Sequence, residues 1–95
     1  MKYYECHITM LLKPNTKIEK QHRGQWKFSQ IDGDPVLGDG VKSYLTTFYP
    51  EHMTLEEIVD EMNYKAESIR GIYDAKILRT KVELVVYDER VYWTN

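Results

Sequence analysis

A single cysteine, Cys6, is all the thiol chemistry this chain of 95 residues offers. It excludes an internal disulfide and any multi-cysteine metal site. No apolar run approaches the roughly 20 residues that a membrane span needs, and nothing reads as a secretory or transit leader. The expectation is a cytoplasmic protein without membrane contact. Charge of one sign is not in excess either, with 13 Lys and Arg against 15 Asp and Glu. A domain-wide attraction for nucleic acid is therefore missing, and a nucleic-acid partner is not expected. The stretch Asp32-Gly33-Asp34-Pro35-Val36-Leu37-Gly38-Asp39-Gly40 is rich in turn residues, but it lacks the ligand spacing and closing glutamate of a calcium loop. Neither metal nor cofactor is expected.

What is present describes a folded domain: 42% apolar and 29% charged residues, with eight Tyr and two Trp. Residues 1–95 are enough for one domain. So many aromatics in so short a chain leave some on the surface, which points to a ligand face or a homo-oligomer contact. Basic residues gather between Lys13 and Lys27 and acidic ones between Glu51 and Glu61. We read these as two solvated faces.

Residue periodicity supplies the elements. Tyr3 to Leu11 alternates, with Tyr4, Cys6, Ile8 and Met10 on one side and Tyr3, Glu5, His7 and Thr9 on the other. Thr16-Lys17-Ile18-Glu19 has capping-box spacing and predicts a short helix stopped by Gly24. Trp26 to Ile31 and Val41 to Phe48 read as strands joined by a long loop, with Lys27, Ser29 and Ile31 opposite Trp26, Phe28 and Gln30. A second helix is the clearest element. Thr54 and Glu57 form its box, Met53 and Ile58 its staple, and Leu55, Ile58, Val59, Met62, Ala66 and Ile69 its stripe, with Gly71 as the stop. The last strand, Lys76 to Tyr87, places Leu78, Thr80, Val82, Leu84 and Val86 on its inner side. Val91-Tyr92-Trp93 then suggests a further short strand or arm.

The order β-α-β-β-α-β, with amphipathic strands and singly striped helices, packs most simply as one antiparallel sheet with both helices on one face. That is the α+β ferredoxin-like plait, with the first strand central and antiparallel to the last. Its uncovered face gathers Glu5, His7 and Thr9 with Arg79, Lys81 and Glu83, and with Lys42, Tyr44 and Thr46. An imidazole beside a carboxylate moves protons near neutral pH. Arginine and lysine hold phosphate or carboxylate groups. A small anionic ligand on this face is the leading expectation. The alternative is a non-catalytic interaction module that uses the face as a homo-oligomer or partner interface, its charges being cross-strand pairs.

The segment Cys6-His7-Ile8-Thr9-Met10 resembles the hydrophobic-flanked His-x-Thr motif of the 2H phosphoesterases. In that family two such motifs face each other, each His handling a proton and each Thr or Ser binding phosphate oxygen. The resemblance implies a phosphoesterase-like role for His7 and Thr9 alone. His52-Met53-Thr54 matches in spelling, but it follows Pro50-Glu51 and Thr54 serves as a helix cap. The chain also supplies only about one of the family's two lobes. More widely, Glu5-x-His7-x-Thr9, Arg79-x-Lys81-x-Glu83, Trp26-Lys27-Phe28-Ser29 and Ile31-Asp32-Gly33-Asp34-Pro35 are similar to small uncharacterised bacterial and phage proteins. That implies the same fold and no particular activity. RNA-binding plaits carry aromatics in the first and third strands at positions that Tyr3-Tyr4-Glu5-Cys6 and Val41-Lys42-Ser43-Tyr44 do not reproduce.

Overall fold

Alternation at the N-terminus produces β1 (Tyr3–Leu11), whose Cys6, Ile8 and Met10 are completely buried. The computed structural model describes residues 2–86. Along the chain follow α1 (Lys20–Arg23), β2 (Lys27–Asp34), β3 (Gly38–Pro50), α2 (Leu55–Tyr73) and β4 (Lys76–Val85). Four strands form one antiparallel sheet in the order β2-β3-β1-β4, so β1 lies between β3 and β4. The architecture is α+β. The expected strand end at Tyr87 and the Val91-Tyr92-Trp93 segment lie outside the described residues.

Hydrophobic spacing on α2 places Ile58, Met62, Ala66 and Ile69 in one cluster with Cys6, Ile8, Met10 and Leu45. Leu55, in the first turn of the stripe, stays 55% exposed. The Thr54–Glu57 capping box is fully formed: Glu57 N donates to Thr54 Oγ1 at 3.1 Å, and Thr54 N donates to Glu57 Oε1 at 3.0 Å. Thr54→Ala is expected to lower stability by about 1 kcal/mol, read as a shift in urea midpoint at constant slope. An unchanged midpoint would mean that the cap contributes nothing. The helix does not stop at Gly71 but continues to Tyr73, ended by Asp74 in the left-handed conformation (φ 53°). Tyr73 explains the extra turn, because its hydroxyl accepts from Glu19 N at 2.9 Å and contacts His22 Nδ1 at 2.7 Å.

The first helix departs further from expectation. No capping box forms at Thr16; the helix is one turn long, and its N-cap is Glu19 without a side-chain cap bond. Ile18 is buried in the core cluster. It is the segment's one apolar anchor, and burying it ahead of the helix takes precedence over a local cap worth about 1 kcal/mol. Gly24, at φ 59°, does end the turn.

Two strand readings are corrected. The Asp32–Gly40 stretch is not a long loop: both strands extend into it, leaving a turn over residues 35–37. Asp34 Oδ1 caps that turn by accepting from Val36 N at 2.8 Å and Leu37 N at 2.9 Å. Positive φ at Gly33 (83°), Gly38 (92°) and Gly40 (100°) bends the ladder rather than breaking it. In β4 the register shifts where Thr9 faces Arg79 and Met10 faces Ile77. Ile77, not Leu78, therefore joins Val82 against the core, while Leu84 and Val86 stay 50% and 58% exposed. Thr80 is exposed as well.

Candidate functional site

The pairing register lays the odd-numbered face of β1 out in rows. One row runs Ser29–Tyr44–Thr9–Arg79, the next Lys27–Thr46–His7–Lys81, and a third Phe48–Glu5–Glu83. Side chains directly opposite one another on a sheet share a face, so sequence-distant groups meet here without any loop. Asp34 joins from the end of β2. In a flat sheet β2 and β4 would lie about 14 Å apart, at three strand spacings. The bend at Gly33 and the reach of Arg79 bring Arg79 Nη2 to 3.9 Å from Asp34 Oδ2. The result is a concave groove of about 260 Å³ lined by His7, Thr9, Ser29, Ile31, Asp34, Tyr44, Thr46, Arg79 and Lys81.

Charges in the rows are paired along strands. Glu5 and Glu83 sit directly opposite each other, an arrangement that repels. Each carboxylate finds a partner two residues away: Glu5 Oε1 lies 3.3 Å from His7 Nε2, and Glu83 Oε1 lies 2.7 Å from Lys81 Nζ. The hydrogen bond and charge of Lys81 hold the Glu83 carboxyl below its usual range. Across the strands, His7 Nδ1 lies 3.0 Å from Thr46 Oγ1. A carboxylate can only accept, so the neutral ring carries its proton on Nε2 toward Glu5 and leaves the Nδ1 lone pair for the Thr46 hydroxyl.

Six of the residues expected on this face line the groove: His7, Thr9, Tyr44, Thr46, Arg79 and Lys81. Glu5 and Glu83 are not among the lining residues, but each contacts one that is, His7 and Lys81 respectively. Lys42 is not brought to the groove. It is 3% exposed, and its ammonium donates to Gly38 O, Asp39 O and Gly40 O at 2.8, 2.8 and 3.2 Å. All three of its donors are thereby spent on the hairpin end. Ser29, Ile31 and Asp34 were not foreseen as walls. Alternation with Trp26 and Phe28 does mark Ser29 and Ile31 as sharing a face, but Asp34 read as a turn residue and gave no such signal.

Two groups in the groove have unspent hydrogen-bonding capacity. Thr9 is completely buried, and its Oγ1 has no protein partner among the described residues; Arg79 Nε is buried and unpartnered in the same way. Asp34, by contrast, is saturated. Backbone donors Leu37 and Val36, then the Tyr44 hydroxyl at 2.8 Å, and last the Arg79 charge, hold its carboxyl down to about 2 against an opposing effect of burial. The Tyr44 hydroxyl is pushed up, first by burial and then by Asp34.

Asp34 therefore couples the hairpin to pH. Its folded value lies below the ordinary 3.8, so its stabilisation is complete above about pH 4 and is lost as pH falls toward about 2. The melting temperature of the parent is expected to fall more steeply between pH 4 and 2 than that of Asp34→Asn. Parallel curves would show that the carboxylate is not what holds the turn. Among the described residues no cluster of His, Cys, Asp and Glu is arranged to hold a metal ion, and no helix is long and apolar enough to cross a membrane. Burial, and to a lesser degree Glu5, raises the Cys6 thiol to about 11, so it stays protonated at neutral pH and unreactive. No protein-family model, curated protein or solved structure matches the chain.

Proposed function

We propose that the chain is a ferredoxin-like plait, both helices on one face, whose opposite face binds a small anion carrying a carboxylate or phosphate group. The strand order β2-β3-β1-β4 supports the plait. One observation carries the ligand reading: a fully buried Thr9 hydroxyl and a buried Arg79 Nε, both without partners, belong to residues that line one concave groove. Buried polar groups are nearly always satisfied, and exceptions gather where a ligand completes the set. Arg79 supplies a planar charged fork, anchored at one end by Asp34, and Thr9 supplies a hydroxyl on the floor. Lys81 and Ser29 stand on the walls. At about 260 Å³ the groove falls below the range typical of drug-sized ligands, so the ligand is small. A concave polar surface also fits a ligand better than it fits a second copy of the chain, since homodimer contacts are largely apolar.

The test is thermal unfolding with phosphate, sulfate and acetate, each set against chloride at equal ionic strength. A ligand at 100 times its Kd adds about 2.7 kcal/mol to the folded state. The melting temperature of the parent is expected to rise with at least one of these anions, and Arg79→Ala should lose that rise. The absence of any anion-specific shift in the parent would overturn the reading. So would an equal shift in Arg79→Ala. Sedimentation of both proteins separates the interaction-module alternative, which requires a parent dimer that the substitution dissociates.

A further inference from the structure

From the row that crosses His7 we infer that Glu5, His7 and Thr46 form a nucleophile triad, which makes the groove a hydrolase site for short-chain carboxylic esters. This rests on the reading of the groove as a ligand site. The geometry has three parts. Thr46 Oγ1 lies within hydrogen-bond reach of His7 Nδ1, at 3.0 Å. The other ring nitrogen, Nε2, is 3.3 Å from the Glu5 carboxylate. Thr46 and His7 both line the groove, together with Arg79 and Lys81. A hydroxyl bonded to a base that a carboxylate orients is the arrangement by which a weak nucleophile is activated. Two neighbouring strands, β1 with Glu5 and His7 and β3 with Thr46, hold all three groups in adjacent rows, giving the pre-organisation such a site needs.

The arrangement also redefines His7. Both ring nitrogens are committed to protein partners before reaction, so Nδ1 becomes free to exchange a proton with the leaving group or with water only once Thr46 Oγ1 has given up its own.

In the first step Thr46 Oγ1 attacks the ester carbonyl carbon while its proton passes to His7 Nδ1. The carbonyl electron pair moves onto oxygen, and Arg79 and Lys81 supply the positive charge in the groove that offsets this oxyanion. Re-formation of the C=O bond breaks the bond to the alkoxy oxygen. The departing alcohol takes the proton from Nδ1 and leaves an acyl ester on Thr46. Water then yields a proton to Nδ1 as its oxygen bonds to the acyl carbon. Thr46 Oγ1 departs, recovering that proton, and a carboxylic acid is released. The ionised product is itself a small anion of the kind the groove is proposed to hold. Asp34, beside Arg79, places no charge repulsion on a neutral ester.

Diisopropyl fluorophosphate and p-nitrophenyl acetate, both uncharged, test the triad without depending on anion binding. The expected result is one covalent adduct, mapped by mass spectrometry to the Thr46 peptide, and a burst of p-nitrophenol. Thr46→Ser should retain labelling and Thr46→Ala should lose it. His7→Ala should slow labelling by roughly 100-fold or more, the range of a general base. Glu5 is a positioning residue: Glu5→Gln should lower the saturating rate of labelling and leave the half-saturating probe concentration unchanged, a split that loss of folding does not produce. No adduct in the parent, an adduct elsewhere, or unchanged labelling of Thr46→Ala overturns the proposal. An anion-induced melting shift that survives in that case leaves the binding site standing and removes only the chemistry.

Discussion

Replacing Ile8 by alanine is expected to lower stability by about 2–5 kcal/mol, the range for removing a large aliphatic side chain from a packed core. Ile8 has no exposed surface. It sits between Leu45 of β3 and Thr80 of β4 in the ladder, in one cluster with Ile58, Met62, Ala66 and Ile69 of α2. A domain of this size has about 5–15 kcal/mol in total, so the change approaches the limit of what the fold tolerates. Leu84 faces the same side of the sheet but is 50% exposed, and Leu84→Ala should cost under about 1 kcal/mol. Urea denaturation of both variants decides the matter. Equal losses would mean that the core is not concentrated under α2, against the packing described above.

Thr9→Val is expected to move stability and binding in opposite directions. The hydroxyl is buried without a partner, a burden of about 1–3 kcal/mol on the folded state. Valine keeps the branched shape that a strand favours and removes the unsatisfied oxygen. The variant should therefore melt at a higher temperature than the parent in chloride and gain less, or nothing, from the anion that stabilises the parent. Such an exchange of stability for function is common at sites whose polar groups await a ligand. Melting curves in chloride and in the stabilising anion read both effects together. A variant less stable than the parent would show that the hydroxyl is satisfied within the protein, and the argument for an empty donor on the groove floor would fail.

Cys6 shows why the sheet's inner face could be read without coordinates. Its side of β1 repeats every second residue through Ile8 and Met10, and all three are buried, because pleating alone fixes that alternation. The stripe and capping box of α2 were equally legible, since the interactions that form them lie within a few residues of one another. So was the gathering of His7, Thr9, Tyr44, Arg79 and Lys81, once the four strands were placed in one antiparallel sheet.

The tertiary structure decided the rest. Thr16 has the spacing of a cap and forms none, because a local hydrogen bond yields to the burial of Ile18 by distant elements. Leu78 looked like core and Ile77 did not, until a register shift against Thr9 and Met10 exchanged them. A bulge depends on the partner strand and leaves no mark on its own sequence. Lys42 alternates onto the face of Tyr44 and Thr46, yet three backbone carbonyls of the hairpin end hold its ammonium. Asp34 read as a turn residue and became a wall of the groove opposite Arg79. Strand periodicity specifies which face a side chain occupies. Whether that face is flat or concave, and which of its charges are already spent, depends on sheet curvature and on contacts between residues far apart in the chain.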